Sequence, residues 1–204
     1  MIDLPLFDQR MVEIRNSPVL YSPAPGPLPE YLVFYWRNQC AFEARCLEAG
    51  VAFWDDNALV ALSSALERDD WTSAPHLRCE ILAATEWIIH SGPTLRGLAE
   101  ENDAFFADGD CADDDDFQDI PPGPLFDGRQ GLSVQRWDFW KARFAALLDQ
   151  AADKAPTGAT QGPGPSEKAP VPTGALTEDV CIAMKIAIEQ MDAAERVVAE
   201  TRDE

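Results

Sequence analysis

Basic residues are scarce in this chain of 204 residues: 16 Lys and Arg stand against 36 Asp and Glu, a formal net charge of −20. A field of that sign repels phosphate backbones, whose binding depends on Lys and Arg. It also repels anionic lipid headgroups. Neither nucleic acid nor a membrane is therefore expected as a partner. No apolar run is long enough to cross a bilayer. YLVFYW (31–36) and ALVAL (58–62) are far short of the ~20 residues a span needs. The first residues, MIDLPLFDQR, lack a basic stretch followed by an apolar core, so no signal peptide is expected.

Metal and redox motifs are also missing. The five cysteines, Cys40, Cys46, Cys79, Cys111 and Cys181, are odd in number and form no CxxC pair. Reduced thiols in a cytoplasmic protein are the simplest expectation. Only two histidines occur, His76 and His90. His76-x2-Cys79 and the Glu86/His90 pair share helical turns, but no HExxH or paired-cysteine spacing accompanies them, so no metal is expected. His90, just before Gly92-Pro93, fits a helix C-terminus, where its charge is favoured. There is no GxSxG, no glycine-rich phosphate loop and no GxGxxG, which removes the common hydrolase, kinase and dehydrogenase signatures. No cofactor is expected.

What is present is apolar mass with helical spacing. Hydrophobic residues make up 46% of the chain, enough for a folded core. From Pro29 to Gly50, Leu32, Trp36, Cys40 and Leu47 share one face, with Arg37, Arg45 and Glu48 opposite. Asp55 or Asp56 can cap a second helix ending near Glu67, with Leu59, Leu62 and Leu66 inward. Ser73 and Pro75 open a third, whose stripe is Leu77, Ile81, Ala84 and Ile88 and which Gly92-Pro93 stop. A shorter helix follows over 94–106. Ser133 caps a helix reaching about Ala152. Thr177 caps a last one, where Val180, Met184, Ala187, Met191, Ala194 and Val198 alternate four and three apart. The pattern predicts an all-α fold, a single irregular bundle of five to six helices.

Composition divides the chain into four parts. Residues 1–27 are a proline-rich arm. Residues 28–152 are the helical domain, interrupted by an acidic loop at 107–119 that holds seven aspartates. As a calcium loop starting at Asp108, this stretch fails at Ala112 and Asp113, where an EF-hand needs a ligand and a glycine. A solvated loop is the simpler reading. Residues 153–175 read as a flexible linker, and 154–174 alone hold five prolines and four glycines. Residues 176–204 form an amphipathic C-terminal helix. It is expected to dock on its own chain, with a homodimer through that helix as the alternative.

The densest chemistry lies in LSVQRWDFWKARFAALL (132–148). Trp137, Trp140, Phe144 and Leu147 make one stripe, while Arg136, Phe139 and Arg143 lie together on another side. One reading makes the stripe core and the arginine stems its cover. The other is an anion or aromatic-ligand pocket of guanidinium and indole. Arg136 in a first helical turn wants an anion nearby, and the closest in sequence is the Asp113–Asp116 run.

The stretch GPLFDGRQGLSVQRWDFWKARFAAL (123–147) resembles the C-terminal motif of a family of filamentous-fungal proteins known only as a domain of unknown function. In it, a Gly-Pro-Leu-aromatic turn leads to an Arg-Trp-x-x-Trp-Lys-x-Arg-Phe helix. WRNQCAFEARCLEAGV (36–51) and LAATEWIIHSGPTL (82–95) are similar to its earlier helical motifs, so the likeness spans about 28–150. The resemblance implies a helical intracellular fungal protein and supplies no catalytic residues.

Two functions are compatible with these residues. One is a ligand- or partner-binding module that takes a protein or a small apolar or aromatic molecule. Its candidate contacts are Arg136, Phe139, Trp140 and Arg143, with Glu86 and His90. The other is a small cofactor-independent enzyme, a cyclase or isomerase of fungal secondary metabolism. A buried carboxylate at Glu43, Glu80 or Glu86 inside a deep apolar pocket would favour the enzyme.

Overall fold

A computed structural model describes residues 28–71, 73–107, 120–153, 171–172 and 174–202. The proline-rich arm, nearly all of the acidic loop and most of the linker lie outside the described residues. Among the described residues the fold is all-α, with five helices: α1 (Glu30–Glu48), α2 (Asp55–Leu66), α3 (Ala74–Ala107), α4 (Val134–Asp153) and α5 (Glu178–Arg202).

The long α3 is the centre, and each of the other four helices packs against it. Its partners follow from its burial. Leu77, Ile81, Leu82, Ala84, Trp87, Ile88 and Leu95 are almost fully removed from water, so α3 is apolar on more than one side. α1 lies parallel to it: Glu30 meets Arg78, Arg37 meets Glu86, Arg45 meets His90, and Glu48 accepts from Thr94. α5 also runs parallel to α3, since Asp179 reaches Arg78 and Ala194 sits beside Gly92. α4 returns antiparallel to α5, with Trp137 and Lys141 bonded to Glu195 and Lys141 to Asp192.

The third and fourth expected helices are one continuous element with a kink. Only Ser91 leaves helical geometry (φ −142°, ψ 20°), and Pro93 is carried inside α3. The proline does not end the helix, because the break one residue before Gly92 lets Pro93 sit in the first turn of the second limb, where a missing N–H costs little. Ser91 Oγ donates to the Trp87 carbonyl at 2.8 Å and so satisfies an acceptor at the bend. Gly92 is the point of close approach, with Ala194 Cβ and the tip of Trp137 each within 3.9 Å of where its Cβ would stand.

One helix end differs from expectation and another agrees with it. The residue capping α2 is Trp54 rather than an aspartate, without a side-chain cap bond, and Asp55 and Asp56 occupy the first turn, where the dipole favours anions. α1 ends as its glycine predicts. Gly50 is left-handed (φ 64°), its N–H bonds Leu47 O at 3.0 Å and the Val51 N–H bonds Cys46 O at 2.9 Å. That double bond is the Schellman arrangement.

The apolar stripe of α5 is buried inside this chain as far as Ala194, with Val198 partly exposed. Val180, Met184, Ala187, Met191 and Ala194 are each 0% exposed. Thr177 flanks the helix, its hydroxyl donating to Asp179 and its carbonyl accepting from Cys181 N–H.

Candidate functional site

The tryptophan stripe of α4 is core. Trp137, Trp140 and Phe144 are 0% exposed, and Leu147 2%. The arginines are not merely its surface cover. Arg136 is itself completely buried, and its partner is Glu67 at the end of α2, also completely buried. The two form a bidentate pair, Arg136 Nε to Glu67 Oε1 at 2.6 Å and Nη2 to Oε2 at 2.9 Å. The anion near Arg136 thus comes from 69 residues earlier in the chain, and the aspartate run is not needed for it.

Every remaining hydrogen-bonding direction of that pair is occupied by its own chain. Arg136 donates to Ser63 Oγ at 2.9 Å and to the carbonyl of Gly131 at 3.0 Å, with longer bonds to Ile120 and Pro121. Glu67 accepts from Trp140 Nε1 at 2.7 Å and from Gly123 N–H at 2.7 Å. Leu125 N–H bonds the Glu67 carbonyl. Residues 120–133 are therefore a strap tied to α2 and α4 through one ion pair. Gly123 is required there, since a Cβ would fall 2.6 Å from Glu67 Cβ and 2.8 Å from its carbonyl oxygen. Phe126 lies 5.2 Å from Phe139 between ring centres, and Arg136 sits over its ring at 5.4 Å. The expected ligand of the guanidinium and aromatic residues is thus the protein's own Phe126.

Arg143 does similar work at the same end of α2, one residue earlier in the chain. Its Nε donates to the Leu66 carbonyl at 3.0 Å, covering a helix C-terminus with a cation. Burial pushes its pKa down, and Asp69 opposes the shift. The start of α4 is closed twice, by Ser133 Oγ accepting from Arg136 N–H and by Asp103 of α3 accepting from Val134 N–H.

Glu86 and His90 come together elsewhere, between α1 and α3. Glu86 accepts from Arg37, and its other oxygen lies 3.1 Å from His90 Nε2, which is also 2.9 Å from Arg45 Nη2. One nitrogen cannot accept from Arg45 and donate to Glu86 at once. Burial, then Arg45, hold the His90 pKa below its ordinary value against the pull of Glu86. The expected favourable helix-end charge is therefore not what this histidine finds: α3 runs on past it, and a guanidinium faces it.

All three carboxylates singled out in the sequence are buried. Glu43 accepts from Gln39 Nε2 at 3.0 Å and from Asn57 Nδ2 at 3.2 Å. Next to it, burial and the charges of Glu43 and Glu80 push the Cys40 thiol well above its usual range. Cys79 is pushed up to about 12, chiefly by burial. Neither thiol is a nucleophile at neutral pH. Among the described residues no group of three His, Cys, Asp or Glu is placed to hold a metal ion.

The sequence reading did not single out the outer face of α1. Tyr31 and Phe34 are 70% and 68% exposed, and Tyr35 and Phe42 45% and 44%. With Asn38 and Arg45, also exposed, they line the side of α1 opposite its core contacts, and the exposed carboxylates Glu30 and Glu48 stand at the two ends of the helix. The signal was available. YLVFYW is apolar on every side of a helix, so packing one side must leave another uncovered.

A family model for "Protein of unknown function (DUF3632)" matches residues 2–144. The chain belongs to that family. The DUF3632 match takes in α1, α2, α3, the strap and the first half of α4, and so holds both the buried ion pair and the aromatic face of α1. α5 lies beyond it. No curated protein and no solved structure matches the chain.

Proposed function

We propose that this DUF3632 chain is a helical interaction module that holds a protein partner on the outer face of α1. The observation carrying the proposal is the exposure of the three aromatic residues Tyr31, Phe34 and Tyr35. Single exposed apolar residues are ordinary, but a contiguous aromatic patch on a soluble chain marks a contact surface. Aromatics and arginine are also the residue types that anchor interfaces. The resemblance to filamentous-fungal proteins supports an intracellular setting for the module. No helix of the described residues is long and apolar enough to cross a membrane. The test replaces Phe34 by a benzophenone amino acid in living cells, with Val60 on α2 as an equally accessible control position. Crosslinks specific to position 34 are expected. Equal labelling from both positions overturns the reading.

A second reading is a cofactor-independent enzyme, a cyclase or isomerase of secondary metabolism, and it rests on Glu43. Two amide donors hold this buried carboxylate in one orientation, as a fixed general base would need. Its test is turnover of an apolar substrate that is abolished in Glu43→Gln while the fold is retained. The interaction module is favoured because polar neighbours already engage Glu43 and Glu86.

A further inference from the structure

We infer that the seam between α1 and α3 binds a small oxyanion, a phosphate or carboxylate group, in a clamp formed by Arg37, Arg45 and His90. The inference goes beyond the interaction reading and does not depend on what covers the aromatic residues of α1. The two arginines stand two turns apart on α1, about 12 Å along the helix axis. Their side chains converge, because Glu86 and His90, one turn apart on α3, draw them together. Arg37 Nε donates to Glu86 Oε1. Glu86 Oε2 lies 3.1 Å from His90 Nε2, and that nitrogen lies 2.9 Å from Arg45 Nη2. Two guanidinium groups thus flank one carboxylate. With His90 neutral, they leave this line of contacts with surplus positive charge in a chain of −20.

Three observations point to an anion. The cationic edge is open to water: the Arg37 side chain is 42% exposed and engages Glu86 through Nε, and Arg45 is exposed as well. A guanidinium so held still has N–H groups to offer a planar anion. Next, Arg45 lacks what other cations of the chain have. Arg68, Arg78, Arg96, Arg129 and Arg136 each meet a carboxylate. Among the described residues none pairs with Arg45, which donates to the Ala41 carbonyl at 3.2 Å and faces His90. Glu48, one turn on, accepts from Thr94 Oγ1 at 2.6 Å instead. Last, the contact at His90 is in conflict, since Nε2 cannot serve Arg45 and Glu86 together. Burial, Arg45 and Arg37 hold the His90 pKa down, and Glu86 opposes them. An oxyanion bridging the two guanidinium groups removes the conflict. Arg45 gains a charged acceptor, and Nε2 is free to carry a proton for Glu86. Anion and proton therefore bind more tightly together than apart.

The experiment is an NMR titration of the histidine ring signals of the full chain with sodium sulfate, the ionic strength held constant with sodium chloride. Sulfate keeps one charge across the pH range of the measurement, so any pH dependence belongs to the protein. The chain has two histidines, and His76→Gln assigns the signals. His90 is expected to shift saturably while His76 stays in place. The affinity should be at least about threefold tighter near pH 6 than near pH 8. Arg37→Gln and Arg45→Gln should each weaken sulfate binding at least about fivefold, whereas Arg68→Gln should not. Without sulfate, Arg45→Gln should raise the His90 pKa, because a facing cation is gone, and should abolish the further rise that sulfate brings. An undisturbed His76 signal shows each variant folded. Competition by inorganic phosphate and by succinate then names the natural group: stronger displacement by phosphate assigns a phosphate ligand, and stronger displacement by succinate a carboxylate. Both results support the clamp. A His90 response to sulfate no greater than to chloride overturns the inference, as does saturable binding that survives both arginine substitutions. Neither result touches the crosslinking test at position 34, so the two readings fall separately.

Discussion

α4 and α1 draw on the same ingredients to different ends. Each carries aromatic rings and arginine on a helical face. On α4, the fold supplies the partners: Glu67 neutralises Arg136, the strap carbonyls take its remaining N–H groups, and Phe126 covers Phe139. On α1, Tyr31 and Phe34 remain in water. The contrast shows that a Trp/Arg-rich segment does not by itself signal a binding site. What decides is whether an anion and a loop elsewhere in the chain come back to it. The conspicuous segment is a fastening, and the plainer one leaves Tyr31 and Phe34 exposed.

The contrast should be sharpest on breaking the ion pair. Arg136→Leu leaves a buried carboxylate without its cation and should cost about 3–5 kcal/mol. A loss under ~1 kcal/mol by urea unfolding would mean that the strap region is wet or mobile in solution. The double variant with Glu67→Leu should not recover stability fully, because Trp140 Nε1 and Gly123 N–H then lose their acceptor.

Gly123→Ala tests the strap alone. The new methyl collides with the Glu67 backbone and should cost roughly 1–3 kcal/mol, read as a lower urea midpoint with unchanged helical content. An unchanged midpoint would detach the strap from α2.

His90 is expected to have a smaller effect, visible as a pH slope. Its folded pKa lies below the ordinary value, so the folded state resists protonation more than the unfolded chain does. Its contribution is intact above the unfolded pKa near 6.5 and declines as pH falls below it. Comparing urea midpoints at pH 7.5 and 5, His90→Gln should lose less stability on acidification than the unaltered chain. An equal or greater loss would show that Glu86 rather than Arg45 dominates this histidine.

The smallest stability effect belongs to the other side of the comparison. Phe34→Ser removes an exposed ring and should change monomer stability by less than about 0.5 kcal/mol. A loss above ~2 kcal/mol, measured at concentrations where the chain is monomeric, would place Phe34 in a core and close the face of α1.

Much of the architecture was legible because helix periodicity is local. Leu77/Ile81/Ala84/Ile88 and Val180/Met184/Ala187/Met191 declare their buried faces within a few turns. Gly50 announced the end of α1, since a left-handed residue there needs no Cβ. Gly92-Pro93 misled by position: proline forbids a bond to the turn before it, but a kink at Ser91 removes that bond already. The tie between Glu67 and Arg136 was illegible, because nothing local marks which of many acids in an acidic chain will fold back 69 residues to one arginine. The α1 face was half legible. Its all-round apolarity was visible, but which side faces water depends on where α2 and α3 pack.

The position of α5 has a consequence for how the molecule is made. α5 covers a flank of α3 at Gly92, where Ala194 and the Gln190 carbonyl approach, and α5 is the last of the five helices to leave the ribosome. Four helices can gather during synthesis, but that flank stays bare until the fifth arrives. The nascent chain therefore passes through a stage with an exposed sticky groove, the stage at which chaperones act on slow-finishing domains. Completion comes late, from a helix that runs parallel to α3 and antiparallel to α4. Protein quality control would meet this protein before α5 has docked on α3 and α4.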